Sequence, residues 1–129
     1  MRTITTLAAL LLLACQKDDK ATPSNPPAPV PVVLTAPATI YPSAGSTQPR
    51  TALTYRFRSV EGAYRYSVNL ERQHTSGVWM PWTNASAPDT FITVSFPSGV
   101  IENARWRVAA MDQNEDLGPY SPWVQYGYE

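Results

Sequence analysis

From Leu53 onward, apolar and polar residues alternate with a period of two. Leu53, Tyr55 and Phe57 alternate with Thr54, Arg56 and Arg58. Tyr64, Tyr66, Val68 and Leu70 alternate with Arg65, Ser67, Asn69 and Glu71, and Trp106, Val108 and Ala110 with Arg105, Arg107 and Ala109. Successive side chains of an extended strand point to opposite faces, so each stretch buries one face and wets the other. A helix, with its faces recurring every ~3.6 residues, would smear the same pattern around its surface. Thirteen prolines in 129 residues also argue against an all-helical chain.

Turn residues punctuate these runs. Ala38-Thr39-Ile40-Tyr41 reads as a first edge strand, turning at Pro42-Ser43-Ala44-Gly45. Glu61-Gly62 and Thr75-Ser76-Gly77 supply two more turns, the second leading into Val78-Trp79-Met80-Pro81-Trp82. Thr90 to Phe96 is a β-branched and aromatic run, Asp112 to Gly118 a polar loop, and Trp123 to Tyr128 the closing strand. Seven short strands between residues 38 and 129 predict an all-β, immunoglobulin-like sandwich. Cys15 is the single cysteine, so no intramolecular disulfide is available and an aromatic core must hold the sandwich.

Phe57-Arg58-Ser59-Val60-Glu61-Gly62-Ala63, followed by Tyr66 and Val68, resembles the B–C region of fibronectin type III domains. Trp106 to Asp112 is similar to the F strand of that family, and Tyr120-Ser121-Pro122-Trp123 to the start of its G strand. Two positions depart from the family pattern. Phe57 stands where a core Trp is usual, and Ala104 where the corner Tyr is expected. The resemblance implies a seven-stranded sandwich.

The N-terminus reads as an address. Met1-Arg2-Thr3 carries one cation, and Ile4 to Ala14 is apolar but shorter than the ~20 residues that span a bilayer. Leu12-Leu13-Ala14-Cys15 resembles the lipobox of bacterial lipoproteins, with Cys15 as the lipidated residue. Lys17-Asp18-Asp19 is similar to the export tag of Bacteroidetes lipoproteins, which sends them to the outer face of the outer membrane. Residues 1–14 are then a signal peptide and 15–37 a lipidated tether. Six of the 17 residues from Ala21 to Pro37 are proline, which favours a semi-rigid polyproline spacer. Residues 38–129 form the domain. The resemblance implies a protein held on the outer membrane through lipid on Cys15, at the cell surface or, as the alternative, on the periplasmic leaflet.

Little in the chain points to catalysis. His74 is the single histidine and sits in a polar turn. Asp112-Gln113-Asn114-Glu115-Asp116 lacks the ligand order of a calcium loop and reads as a solvated connection. With one His, scattered acids and Cys15 taken by lipid, no metal site, cofactor or enzyme activity is expected, and with zero net charge and no basic run, no nucleic-acid partner. The notable constellation is arginine with aromatics. If Trp106 and Val108 face inward, Arg105 and Arg107 face out, and Arg65 on the neighbouring strand shares their side. Val124, Tyr126 and Tyr128 inward leave Trp123 and Gln125 outward. Arg65, Arg107 and Trp123, with Trp79 and Trp82 at the border, thus form a candidate ligand face, because Trp, Tyr and Arg dominate binding hot spots. The competing reading is a stabilising cation–π ladder of the kind that Trp-Ser-x-Trp-Ser segments build. The expected function is non-catalytic binding of a glycan or protein partner by a monomeric domain. The alternative is an accessory subunit or spacer of an outer-membrane complex.

Overall fold

The computed structural model describes residues 33–97, 99 and 101–129. The signal segment, Cys15, Lys17, Asp18, Asp19 and most of the proline-rich stretch lie outside these residues. Among the described residues every regular element is a strand: β1 (Thr39–Tyr41), β2 (Thr47–Gln48), β3 (Leu53–Phe57), β4 (Arg65–Gln73), β5 (Trp79–Ala87), β6 (Phe91–Val94), β7 (Asn103–Met111), β8 (Leu117–Tyr120) and β9 (Val124–Tyr128). They form two sheets. The smaller runs β1-β3-β6; the larger runs β2-β9-β7-β4-β5, with β8 also paired to β7. This is the expected immunoglobulin-like sandwich.

The seven strands read from the sequence are present, and two short ones join them. β2 lies parallel to β9, pairing Thr47 with Gly127 and Gln48 with Tyr128. β8 begins inside the stretch expected to be loop. Gly118 and Pro119 are strand breakers in isolation, but proline is tolerated where a strand lies at a sheet margin. β5 also continues to Ala87 rather than stopping at Trp82, because its polar second half pairs with β4 from Thr83↔Leu70 to Ala87↔Tyr66.

Alternation fixes the core. Leu53, Tyr55 and Phe57 from the small sheet meet Tyr66, Val68, Leu70, Trp106 and Val108 from the large one, all buried. The Trp106 ring lies 5.3 Å from Tyr55, edge to face, and its indole N–H donates to the Pro42 carbonyl at 3.3 Å. Phe57, in the place of a core Trp, packs 4.9 Å from Tyr66. Tyr64 is a correction. It is exposed rather than inward, because it precedes β4 and its N–H is bound to the Met111 carbonyl at 2.7 Å. Ala104 is fully buried and carries no hydroxyl for a corner bond. A different tyrosine ties the β3–β4 connection: the Val60 N–H donates to Tyr66 Oη at 2.9 Å.

A row of three phenols crosses the interior. Tyr55 of β3 shares a hydrogen bond with Tyr126 of β9, and the Tyr126 hydroxyl is 3.2 Å from that of Tyr128. Burial pushes all three hydroxyls above the ordinary tyrosine range, since a phenolate there would lose its water. The row satisfies three buried polar atoms and links one sheet to the other.

Candidate functional site

The outer face of the large sheet is built by the odd-numbered residues of β7. Arg105 and Arg107 project from it, as Trp106 and Val108 project inward. Their partners come from three other segments. The Arg105 guanidinium lies 4.5 Å from the centre of the Trp79 ring and 4.4 Å from that of Trp123. Arg107 lies 4.4 Å from Trp123 and 4.1 Å from Tyr120. The order Trp79–Arg105–Trp123–Arg107–Tyr120 is a continuous stack of alternating rings and cations.

Ser121 positions the middle of this stack. Its N–H donates to the Val108 carbonyl at 2.8 Å, and its hydroxyl accepts the Val108 N–H at 3.0 Å. The Ser121 hydroxyl also donates to the Pro122 carbonyl at 3.2 Å. The segment between β8 and β9 is thereby clamped to β7, with Tyr120 and Trp123 on either side of the Arg107 plane. The edges of the guanidinium groups are occupied as well. Glu71 Oε1 accepts from Arg105 Nε at 2.9 Å and from Nη2 at 2.6 Å. Asn69 Oδ1 accepts from Arg107 Nε at 3.2 Å, and Asn69 Nδ2 donates to Asn84 Oδ1 at 2.8 Å. The ion pair is about a quarter exposed, so its own contribution is modest.

Of the residues expected on the ligand face, Arg107, Trp123 and Trp79 meet in this stack. Arg65 shares the face but stands apart, donating to Ser86 Oγ at 2.8 Å. Trp82 is a correction: it packs against the hydrophobic core and not on the outer face. Plain alternation does not carry along β5, since Asn84, five residues beyond Trp79, stands on the outer face with Asn69. The pairing register shifts beside Trp82, between Leu70 and Glu71 of β4. Arg105 and Tyr120 belong to the stack although the expected set omitted them. Arg105 has the same alternation as Arg107, and Tyr120 opens the Tyr-Ser-Pro-Trp segment, so both were visible in the sequence.

Elsewhere, Asp112 Oδ1 accepts the N–H groups of Asn114 at 2.8 Å and Asp116 at 3.0 Å. The acidic loop uses its first carboxylate to close a turn. Among the described residues no group of three or more His, Cys, Asp or Glu converges to hold a metal ion. His74 is exposed at the β4–β5 turn, where Nδ1 accepts the Ser76 N–H at 3.1 Å.

The domain is similar in structure to the FN5 domain of Drosophila Lar, with a TM-score of 0.50, 11% identity, and coverage of 77% of this chain and 97% of that one. It is also similar to the fibronectin type III domain of human fibronectin type III domain containing protein 3 (TM-score 0.47, 17% identity, 79% and 92% covered). A third similar structure is FN3tt (TM-score 0.43, 19% identity, 74% and 97% covered). No family model matches the chain, and no curated protein does. The fold is that of a fibronectin type III domain.

Proposed function

We propose that this chain is a non-catalytic surface lipoprotein that presents one fibronectin type III-fold domain to a glycan or protein partner at the cell envelope. The observation that carries the reading is the order of parts along the sequence. An apolar signal ends in Leu12-Leu13-Ala14-Cys15, Lys17-Asp18-Asp19 follows, then a proline-rich spacer, then a single domain. Acylation at Cys15 with at least two chains supplies an anchor that one chain does not. The spacer, at about 3.1 Å per residue, lifts the domain by up to about 60 Å.

The test is protease accessibility of the domain on intact cells. Wild type is digested; a variant with Lys17, Asp18 and Asp19 all changed to Ala is protected but still membrane-bound. Cys15→Ala releases the protein from membranes. If that variant still fractionates with membranes, the lipid anchor is wrong.

A second reading has its own support. Both faces of Arg105 and Arg107 are covered by rings within the chain. That favours a self-contained ladder, as suits an accessory subunit or spacer. Trp123→Ala separates the two readings: lost stability with unchanged partner capture supports the ladder, and intact folding with lost capture supports the face.

A further inference from the structure

The chain enters the domain at one end and leaves a polar groove at the other. The entering segment is fixed where the Arg58 N–H donates to the Ala38 carbonyl at 2.8 Å. Thr39 pairs with Phe57 at that end of β3, whereas Leu53 at the other end pairs with Val94. Opposite the entry, the end of β4 and the start of β7 flank a concavity of about 340 Å³ lined by Gln73, His74, Glu102 and Asn103 among others. That lies within the ~300–1,000 Å³ of small-molecule sites.

Its chemistry is specific. Asn103 Nδ2 donates to Gln73 Oε1 at 3.0 Å, and Gln73 Nε2 donates to the Gly77 carbonyl at 3.1 Å. The two amides therefore hold each other in fixed planes. Asn103 Oδ1 lies on the side of Gly127, where a Cβ would come within 3.5 Å of it. The Nδ1 atom of His74 is engaged by Ser76 within the turn. Trp79, the end of the arginine stack, pairs across β4–β5 with Gln73. Among the described residues the lining includes one carboxylate and neither Arg nor Lys. An anionic ligand would meet Glu102 without a compensating cation. An apolar ligand would strip water from amides it cannot replace.

We infer that this groove is a saccharide subsite that takes a neutral sugar residue, with Gln73, His74, Glu102 and Asn103 reading its hydroxyls and Trp79 bordering it. Planar amide, imidazole and carboxylate groups offer the donors and acceptors that sugar hydroxyls use. An adjacent indole suits the apolar face of a sugar ring. This inference rests on the binding reading above and narrows it to one ligand class and one place.

The experiment uses the full acylated chain in detergent micelles. Cellohexaose, mannohexaose and xylohexaose are titrated by calorimetry and by tryptophan fluorescence. Wild type binds at least one of them. Asn103→Ala weakens that binding by about tenfold or more, the usual consequence of losing a specific hydrogen bond. Glu102→Ala changes an exposed side chain, so it leaves the fold intact and weakens binding as well. If wild type binds none of the three, the subsite is wrong, while capture of an envelope protein by the same preparation would keep the partner reading alive. If binding survives Asn103→Ala and Glu102→Ala but is lost in Trp123→Ala, the sugar sits on the arginine stack, and the inference fails while the proposed function stands.

Discussion

The domain uses aromatic rings in two opposite ways. Inside, Tyr55, Tyr126 and Tyr128 are closed off from water, and each hydroxyl must find its partner among the other two. Outside, Trp79, Trp123 and Tyr120 alternate with Arg105 and Arg107 in partial contact with solvent. The inner row is expensive to break, because a buried polar atom left alone keeps its full desolvation cost. The outer stack is more forgiving, because water replaces whatever a deleted ring took away. The same residue types thus hold the sheets together in one place and stiffen a surface in the other.

The largest expected effect tests the interior. Trp106→Ala removes a fully buried ring, its edge-to-face contact with Tyr55 and the donor to the Pro42 carbonyl. It should cost about 3–5 kcal/mol, enough to leave much of the protein unfolded in a urea titration. Next comes Tyr126→Phe, which deletes the central hydroxyl of the row and leaves those of Tyr55 and Tyr128 without it. A loss of about 1–3 kcal/mol at neutral pH is expected from chemical denaturation.

The row also predicts a pH dependence with a definite sign. Burial raises the folded-state pKa of Tyr55, Tyr126 and Tyr128, whereas an unfolded tyrosine ionises near about 10. Above that pH the unfolded chain releases protons that the folded chain retains. Stability is therefore fully present below about pH 10 and falls as the pH rises further. Melting temperature measured from pH 8 to 11.5 (roughly the span needed to bracket an ordinary tyrosine) should drop, and Tyr126→Phe should flatten the drop. A flat wild-type profile would mean that the hydroxyls are not sealed from water.

How much of this was legible in the sequence follows from the physics of alternation. Period-two patterning specified the inward Leu53, Tyr55, Phe57, Trp106 and Val108, and with them the outward Arg105 and Arg107. It did not place Trp82, because the register of β5 shifts there and alternation does not carry through a bulge. It could not reveal the phenol row, because Tyr55 and Tyr126 look like any inward aromatics until the two sheets are stacked. Nor could it reveal β8. Gly118 and Pro119 disfavour a strand locally, and pairing to β7 overrides them: Tyr120 lies opposite Ala109. Gly118 is needed there for a reason of space, because a Cβ at that position would come within 2.8 Å of the Leu34 Cβ. The polar groove escaped notice for the same kind of reason. Gln73, Glu102 and Asn103 are unremarkable polar residues until the ends of β4 and β7 are brought side by side.

The outer stack gives a smaller effect than the inner row. Trp123 is its hinge, since it contacts both arginines. Trp123→Ala should destabilise by about 1–2 kcal/mol, the sum of two cation–π contacts at partly exposed sites. If the loss matches that of Tyr126→Phe, the contrast between sealed and wetted aromatics is weaker than the geometry implies.

The smallest effect separates charge from stacking within the outer stack. Glu71→Gln keeps the shape of the side chain and an acceptor for Arg105 but removes the negative charge. The ion pair is short, at 2.6 Å, yet both partners are about a quarter exposed. Screening therefore limits its contribution to about 0.2–1 kcal/mol, and added salt should erase most of it. Stacking on Trp79 and Trp123 needs only the arginine charge and the ring faces, so it should survive both the substitution and the salt. A denaturation series at low and high ionic strength reads the difference. If wild type and Glu71→Gln differ at low salt and converge at high salt, the carboxylate adds only a screened charge and the rings hold Arg105 in place. If Glu71→Gln costs as much as Trp123→Ala at every salt concentration, Glu71 is what orients the guanidinium, and the rings merely follow it.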